Sequence, residues 1–193
     1  FYHLWYFPGL LLGVPIAWRL RRLGLRIALP AAGVLYLMGL GGDSYYGLTA
    51  QVPGLKAAYD ILFQGFSYTR NGLFYVPLFL LLGAAGRRFS RRGACVGLLA
   101  SLAAMSGEAL WLYRPGVQRH DSMYLFLPLA MLFLFSALLG ADRGEDRRCR
   151  RLSALVYVLH PWCIVLVRFG AELLGAEELL VANSLGHFCA VLA

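Results

Sequence analysis

The sequence predicts an all-α membrane protein, a polytopic bundle of about seven transmembrane helices, and three observations lead to this fold class. The 193 residues are 60% hydrophobic and 15% charged, whereas soluble domains are about 45–50% apolar and about 25% charged. The apolar residues form runs of the length that crosses a bilayer, about 17–25 residues. Basic residues concentrate in alternate connections between these runs, as they do in multi-pass proteins.

The predicted spans follow one another along the whole chain. Each is a mostly apolar run that ends at a charge cluster or at a stretch rich in Gly and Pro. They are residues 2–20, 25–41, 72–86, 94–112, 122–140, 152–169 and 179–193. Because the last run reaches the final residue and the first residue is not Met, we expect the chain to be a fragment of a longer protein.

The basic residues predict which end of each span faces the cytoplasm. The connections after the first, third and fifth spans hold 13 of the 18 Lys and Arg residues. Cytoplasmic loops collect these residues, so the other three connections face outwards. This pattern explains the net charge of +8 without a nucleic-acid partner. The partner that it predicts is the lipid bilayer with its anionic head groups.

One outward connection, residues 42–71, is long enough to hold structure of its own. Its apolar residues recur at helical spacing, at Leu55, Ala58, Ile61, Leu62 and Phe66. Polar residues lie between them, which is typical of an amphipathic helix. We expect this helix either to lie on the outer membrane surface or to form a lid over a site.

Ionisable side chains within spans are costly, so each is a candidate for function. Glu108 lies near the outer end of the fourth span. It is either a rim carboxylate that pairs with Arg114 or reaches water, or a carboxylate that faces an external cavity. His160 lies in the middle of the sixth span, before Pro161. It either bonds a neighbouring span or acts directly, and both residues are candidates for substrate binding.

Further polar candidates lie in the outward connections. Arg119, His120 and Asp121 form the densest polar group outside the basic clusters. His120 and Asp121 suit a base and the group that orients it, although Asp121 equally suits the cap of the next helix. Arg70 and Asn71 precede the third span, where a cation can hold a carboxylate or phosphate or can anchor the helix at the interface. These residues are candidates for substrate binding, and no ligand spacing predicts a metal.

Four short phrases then connect the chain to a known family. They are FYHLWYFP at 1–8, TRNGLF at 69–74, RHDSMY at 119–124 and YVLHP at 157–161. Together, in this order, they resemble the acyltransferase family 3 membrane fold, and more narrowly the membrane domain of VanT-type serine/alanine racemases. The resemblance implies that the chain is the C-terminal portion of a ten- or eleven-helix acyltransferase-3 domain.

The broader resemblance implies a membrane-bound acyltransferase. Typical members pass acyl groups from a cytoplasmic donor such as acetyl-CoA to an extracytoplasmic hydroxyl of a carbohydrate or of peptidoglycan. The family's catalytic His–Arg pair lies on spans that would precede this chain, so no catalytic residue is assigned here. On this reading, basic cytoplasmic turns hold the phosphates of the donor, and the candidates are Arg19, Arg22, Arg87 and Arg88.

The narrower resemblance implies an alternative, an L-serine uptake or delivery domain. In that subgroup the membrane part is thought to supply L-serine to a fused cytoplasmic racemase domain that uses PLP. PLP is then expected only if such a domain follows, and no cofactor is expected in this chain. An amino acid needs a cation for its carboxylate, from Arg70 or Arg119, and an anion for its ammonium group, from Glu108 or Asp121.

Overall fold

The computed structural model describes residues 6–86, 89–114, 116–140 and 147–174, and these residues form helices and no strand. The all-α prediction is therefore confirmed for this part of the chain. Its helices are α1 (Tyr6–Arg21), α2 (Leu25–Gly41), α3 (Tyr46–Thr49), α4 (Pro53–Gly65), α5 (Val76–Ala85), α6 (Arg91–Leu112), α7 (Leu127–Gly140) and α8 (Arg147–Leu174).

Six of the predicted spans coincide with helices, namely α1, α2 and α5 to α8. The bounds of α2 are those predicted, whereas α7 begins at Leu127 rather than at residue 122. The amphipathic helix expected in residues 42–71 is α4, and the short helix α3 before it was not predicted. The seventh span, 179–193, lies outside the described residues.

The lengths of the helices bear on how many of them cross a membrane. Among the described residues, α6 is the one helix both long and apolar enough to do so. The apolar helices Leu25–Gly41, Val76–Ala85 and Leu127–Leu139 are shorter. A bundle of seven spans in a multi-pass protein thus stays a prediction.

Local signals explain where several helices begin and end. α4 starts with Pro53, whose missing N–H is not needed in the first turn. The Ser90 hydroxyl accepts a hydrogen bond from the Gly93 amide at 3.2 Å and so caps α6. α5 ends at Ala85 and is followed by Gly86, which has a φ of 60° and adopts the left-handed conformation that glycine tolerates.

The chain divides into two compact units, and α1 to α7 belong to the unit Trp5–Asp142. In it, α5 packs against α1, α2 and α7, and α6 packs along α7. Small residues make the close contacts, since Ala28 and Ala32 of α2 are completely buried. The other unit contains α8, on which Leu166 and Leu173 are exposed and Ala171 is buried.

The contact between α6 and α7 depends on Gly97. A Cβ atom at this position would approach the Phe133 ring of α7 to 2.5 Å. We expect Gly97→Leu to lower the stability of the protein by about 1–3 kcal/mol, because overpacking forces the helices apart. Thermal denaturation in detergent micelles measures this change.

The matched control is Gly107→Leu in the same helix, where an added Cβ meets nothing within 4 Å. This variant should unfold at the temperature of the unmodified protein or above it, because leucine is the better helix former. Equal melting temperatures for the two variants would contradict the tight contact at Gly97.

Candidate functional site

The site is built around a loop that lies on the start of segment 42–71. This docked loop, residues 116–124, is held by backbone hydrogen bonds. The Gly47 amide donates to the Val117 carbonyl oxygen at 2.7 Å, and the Arg119 amide donates to the Asp43 carbonyl oxygen at 3.2 Å. The Ser44 hydroxyl donates to the His120 carbonyl oxygen at 3.2 Å.

The side chain of Asp43 also binds the docked loop, through hydrogen bonds from two of its backbone amides. Asp43 has an exposure of 0%, and its Oδ1 accepts from the Ser122 amide at 2.9 Å and the Met123 amide at 3.1 Å. The Ser44 hydroxyl also lies 3.1 Å from this oxygen, so its single hydrogen is shared between Asp43 and the His120 carbonyl oxygen. The other oxygen, Oδ2, is buried and accepts no hydrogen bond from any described residue. The hydrogen bonds that hold the loop to Asp43 therefore all go to one oxygen of its carboxyl group.

Burial raises the pKa of the Asp43 carboxyl, because a charged carboxylate is costly away from water. The hydrogen bonds from Ser122, Ser44 and Met123 act in the opposite direction, as does the charge of His120. Burial lowers the pKa of His120, because the charged form of an imidazole is also costly away from water, while the charge of Asp43 favours the protonated imidazole. The two groups therefore influence each other's protonation.

An open cleft of about 460 Å³ lies along the docked loop and the end of α6. The predicted polar group forms much of its wall. The lining residues are Ala109, Leu110, Tyr113, Gln118, Arg119, His120, Asp121 and Tyr124. A cation, an imidazole and a carboxylate thus face the same space.

Arg119 also ties the docked loop to α4. Its guanidinium lies 3.6 Å from the centroid of the Phe63 ring and 5.6 Å from that of Tyr46. Such stacking is a cation–π interaction. The amphipathic helix α4 therefore contacts a residue of the cleft wall.

Glu108 has hydrogen-bond partners that neither of its two sequence-based interpretations included, the rim carboxylate or the carboxylate of an external cavity. Its side chain is 8% exposed, and Oε1 accepts from the Tyr45 hydroxyl at 2.7 Å and from the Leu125 amide at 2.6 Å. Oε2 accepts from the Phe126 amide at 3.1 Å. The carboxylate thus caps the turn that leads into α7, the position for which Asp121 had been considered.

The engagement of Glu108 has two consequences. Burial and the hydrogen bond to Glu108 raise the pKa of the Tyr45 phenol. Arg114, the partner considered for Glu108, instead has its guanidinium 5.8 Å from the Trp111 ring centroid. A direct role of Glu108 in substrate binding stays a prediction, and the geometry shows a carboxylate whose two oxygens already accept hydrogen bonds.

Asn71 organises the chain before α5. Its Oδ1 accepts from the Leu73 amide at 2.9 Å and the Phe74 amide at 3.1 Å, and its Nδ2 donates to the Tyr68 carbonyl oxygen at 2.8 Å. The buried Thr69 hydroxyl donates to the Gly39 carbonyl oxygen at 2.7 Å. These bonds hold the segment around Arg70 against the end of α2.

His120 brings the two predicted polar groups together. Its ring centroid lies 4.7 Å from that of Tyr68, which stands two residues before Arg70 in the chain. The positive charges of Arg119 and Arg70 both help to lower the pKa of His120. The segments that carry the phrases at 69–74 and 119–124 are therefore neighbours in the fold.

The remaining candidates lie elsewhere. Arg19 and Arg22 are exposed at the end of α1, where the Arg22 guanidinium lies 4.2 Å from the Trp18 ring centroid. Arg87 and Arg88 lie outside the described residues. His160 belongs to α8, but its side chain lies outside the described part. The residues that the structure describes contain no group of His, Cys, Asp and Glu that could hold a metal.

Sequence reasoning missed Asp43 as a site residue. Its place in Gly41-Gly42-Asp43-Ser44 marks only a turn, and a turn aspartate is usually solvated. The signal available was its position directly after an apolar run, between two glycines and a serine that leave room for another segment.

Curated proteins similar to the chain are racemases. An amino-acid racemase of Enterococcus faecalis is 41% identical over 174 residues, which are 86% of this chain and 25% of that protein. A second amino-acid racemase of that species is 38% identical over 199 residues, 98% of this chain and 27% of the relative. A serine/alanine racemase of Enterococcus gallinarum is 36% identical over 197 residues, 99% of this chain and 28% of the relative.

The chain thus spans about a quarter of the length of the curated relatives it matches. No protein-family model and no solved structure matches it. The racemase side of the expected resemblance has support from these relatives. The acyltransferase family 3 side has none and stays a prediction.

Proposed function

We propose that this chain is the membrane part of a serine/alanine-type racemase and that it takes up or delivers L-serine for that enzyme. Its similarity to racemases over nearly its whole length favours this function over acyl transfer. The observation that carries the proposal is the cleft in which Arg119 and Asp121 stand two positions apart on either side of His120. PLP would belong to a fused cytoplasmic racemase domain.

The chemistry of the cleft suits a small zwitterion. An α-carboxylate matches the planar guanidinium of Arg119, which can donate two parallel hydrogen bonds. An α-ammonium group matches the exposed carboxylate of Asp121. The volume of about 460 Å³ lies within the range of small-molecule sites, about 300–1,000 Å³. Glu108, the other candidate for the ammonium group, has both oxygens engaged.

The surface of α6 supports a membrane location. Only 17% of its most apolar window is buried within the protein. Leu99 and Leu110 are 68% and 77% exposed, and Val96 is 66% exposed. Water is a poor solvent for such a surface, whereas lipid tails match it. With the basic turns on the cytoplasmic side, we place the protein in the bacterial cytoplasmic membrane as a multi-pass bundle, with the cleft outside.

Arg119→Ala in the full-length protein should reduce uptake of labelled L-serine into membrane vesicles at least about tenfold, the effect of losing one charge-assisted hydrogen bond. Arg119→Lys should restore part of the uptake, since lysine keeps the charge but lacks the planar fork. The matched control is Arg114→Ala, which removes an exposed arginine from the same connection without touching the lining of the cleft.

Uptake that is unchanged in Arg119→Ala, or equally reduced in Arg114→Ala, would speak against this site. Labelled acetyl-CoA in the same vesicles tests the competing function. Transfer of its acyl group to an envelope hydroxyl, without any serine uptake, would replace the delivery role by acyl transfer.

A further inference from the structure

Arg119 is held both at its backbone and at the end of its side chain. Its amide donates to the Asp43 carbonyl oxygen at 3.2 Å, and its guanidinium carbon lies over the Phe63 ring, 3.6 Å from the centroid. This is the position of a cation–π interaction. Arg119 is exposed and lines the cleft. The contact therefore orders a long side chain that is free to adopt many rotamers in water.

Phe63 is itself fixed by two tyrosines. Its ring stacks on that of Tyr59 in the same helix, with centroids 6.1 Å apart, and meets the ring of Tyr46 edge-on at 5.7 Å. The Tyr59 hydroxyl donates to the Met38 carbonyl oxygen at 2.7 Å, which ties α4 to α2. This aromatic cluster gives Phe63 a defined place, and the guanidinium of Arg119 rests on it.

The stacking leaves the hydrogen-bonding edge of the guanidinium available to a ligand. A guanidinium is planar, and its five N–H groups point outwards in that plane. A ring that covers one face therefore blocks none of these donors. Phe63 is not among the described residues that line the cleft. Its effect on a ligand in the cleft must pass through Arg119.

We propose that Phe63 is a positioning residue of the cleft, which holds the guanidinium of Arg119 by its face and so presents the edge to a ligand carboxylate. The identity of that ligand as L-serine rests on the proposed function. Ordering a flexible side chain on binding costs free energy, and an arginine that is already ordered avoids most of this cost. The affinity for the carboxylate should be about fivefold higher than with an unsupported arginine.

The experiment replaces Phe63 in the full-length protein by phenylalanine with one, two or three fluorine atoms on its ring. Fluorine draws electron density from the face of the ring and weakens its attraction for a cation, while the ring nearly keeps its size. Uptake of labelled L-serine into membrane vesicles gives KM and the maximal rate. The matched control is the same series at Phe66, whose ring packs edge-on against Phe74 with centroids 6.0 Å apart.

KM should rise stepwise with the number of fluorine atoms at position 63, to about fivefold with three, and the maximal rate should stay the same. The series at position 66 should leave KM unchanged. A merely structural role of Phe63 depends on the size of the ring and would not follow its electron density. A KM that does not respond to fluorine at position 63, or that rises equally at position 66, would overturn the proposal.

Conventional variants decide the question if the fluorinated protein does not fold. Phe63→Trp and Phe63→Tyr keep an aromatic face and should keep the KM of the unmodified protein. Phe63→Leu keeps an apolar side chain without that face and should raise KM about fivefold. Equal KM values for Phe63→Leu and Phe63→Trp would contradict the positioning role.

Fluorine NMR of the protein with one fluorine at Phe63, in lipid nanodiscs, separates this proposal from the proposed function. The signal should move in Arg119→Ala but not in Arg114→Ala, and an unmoved signal in Arg119→Ala would overturn the contact. A shift caused by acetate through Arg119, without binding or uptake of L-serine, keeps the positioning role and removes the delivery role. Normal L-serine uptake that is indifferent to fluorine does the reverse. A signal that responds to neither ligand, in a protein without uptake, overturns both.

Discussion

Glu108→Ala is expected to destabilise the protein by about 3 kcal/mol and to lower its melting temperature by about 10 °C. The substitution leaves the Leu125 and Phe126 amides and the Tyr45 hydroxyl without the acceptor that each now has. Groups that lose a charged acceptor in a buried place cost more than the hydrogen bonds contribute on average. The turn that leads into α7 should loosen, since this carboxylate binds two of its amides.

Thermal unfolding in detergent micelles measures the loss, and Asp60→Ala is its control. That change also removes one acidic side chain, but the Lys56–Asp60 pair is about half exposed and contributes little. Glu108→Gln should fall between the two, because its amide keeps one acceptor oxygen and turns an NH₂ group towards a backbone donor. Equal melting temperatures for Glu108→Ala and Asp60→Ala would refute the capping role.

The helices of this protein were predictable from the sequence because their cause is local. Apolar runs with helical spacing specify α2, and Pro53 with the following apolar residues specifies α4. The start of α7 was placed too early because residues 122–126 are apolar enough to continue a helix. Asp43 and Glu108 bind the amides of this stretch from other elements, and tertiary contacts of this kind override local preference.

The site was predictable in part. The phrase containing Arg119, His120 and Asp121 is polar where its surroundings are apolar, and these residues do line a cleft. Asp43 was not predictable as their partner, because its bond to the Ser122 amide joins residues 79 positions apart. Every residue except proline has a backbone amide, so the sequence does not show which amides a carboxylate will bind. An acidic residue that binds amides therefore cannot be distinguished by sequence from a solvated acidic residue in a loop.

Gly47→Ala is expected to reduce L-serine uptake at least about tenfold, because it should lift the docked loop from the segment that holds it. A Cβ atom at Gly47 would lie 2.6 Å from the Val117 Cα atom and 2.8 Å from its carbonyl oxygen, and it would overlap the Gly116 carbonyl oxygen. All three are backbone atoms, so no side-chain rotation relieves the overlap. The hydrogen bond from Gly47 to Val117, 2.7 Å long, must break.

Gly54→Ala is the matched control, since an added Cβ there meets nothing within 4 Å. Hydrogen exchange distinguishes loss of docking from general unfolding. In Gly47→Ala the amides of residues 116–124 should exchange faster, whereas those of α6 and α7 should keep their protection. Full uptake by Gly47→Ala with a loosened loop would mean that Arg119 and Asp121 need no docking to bind serine.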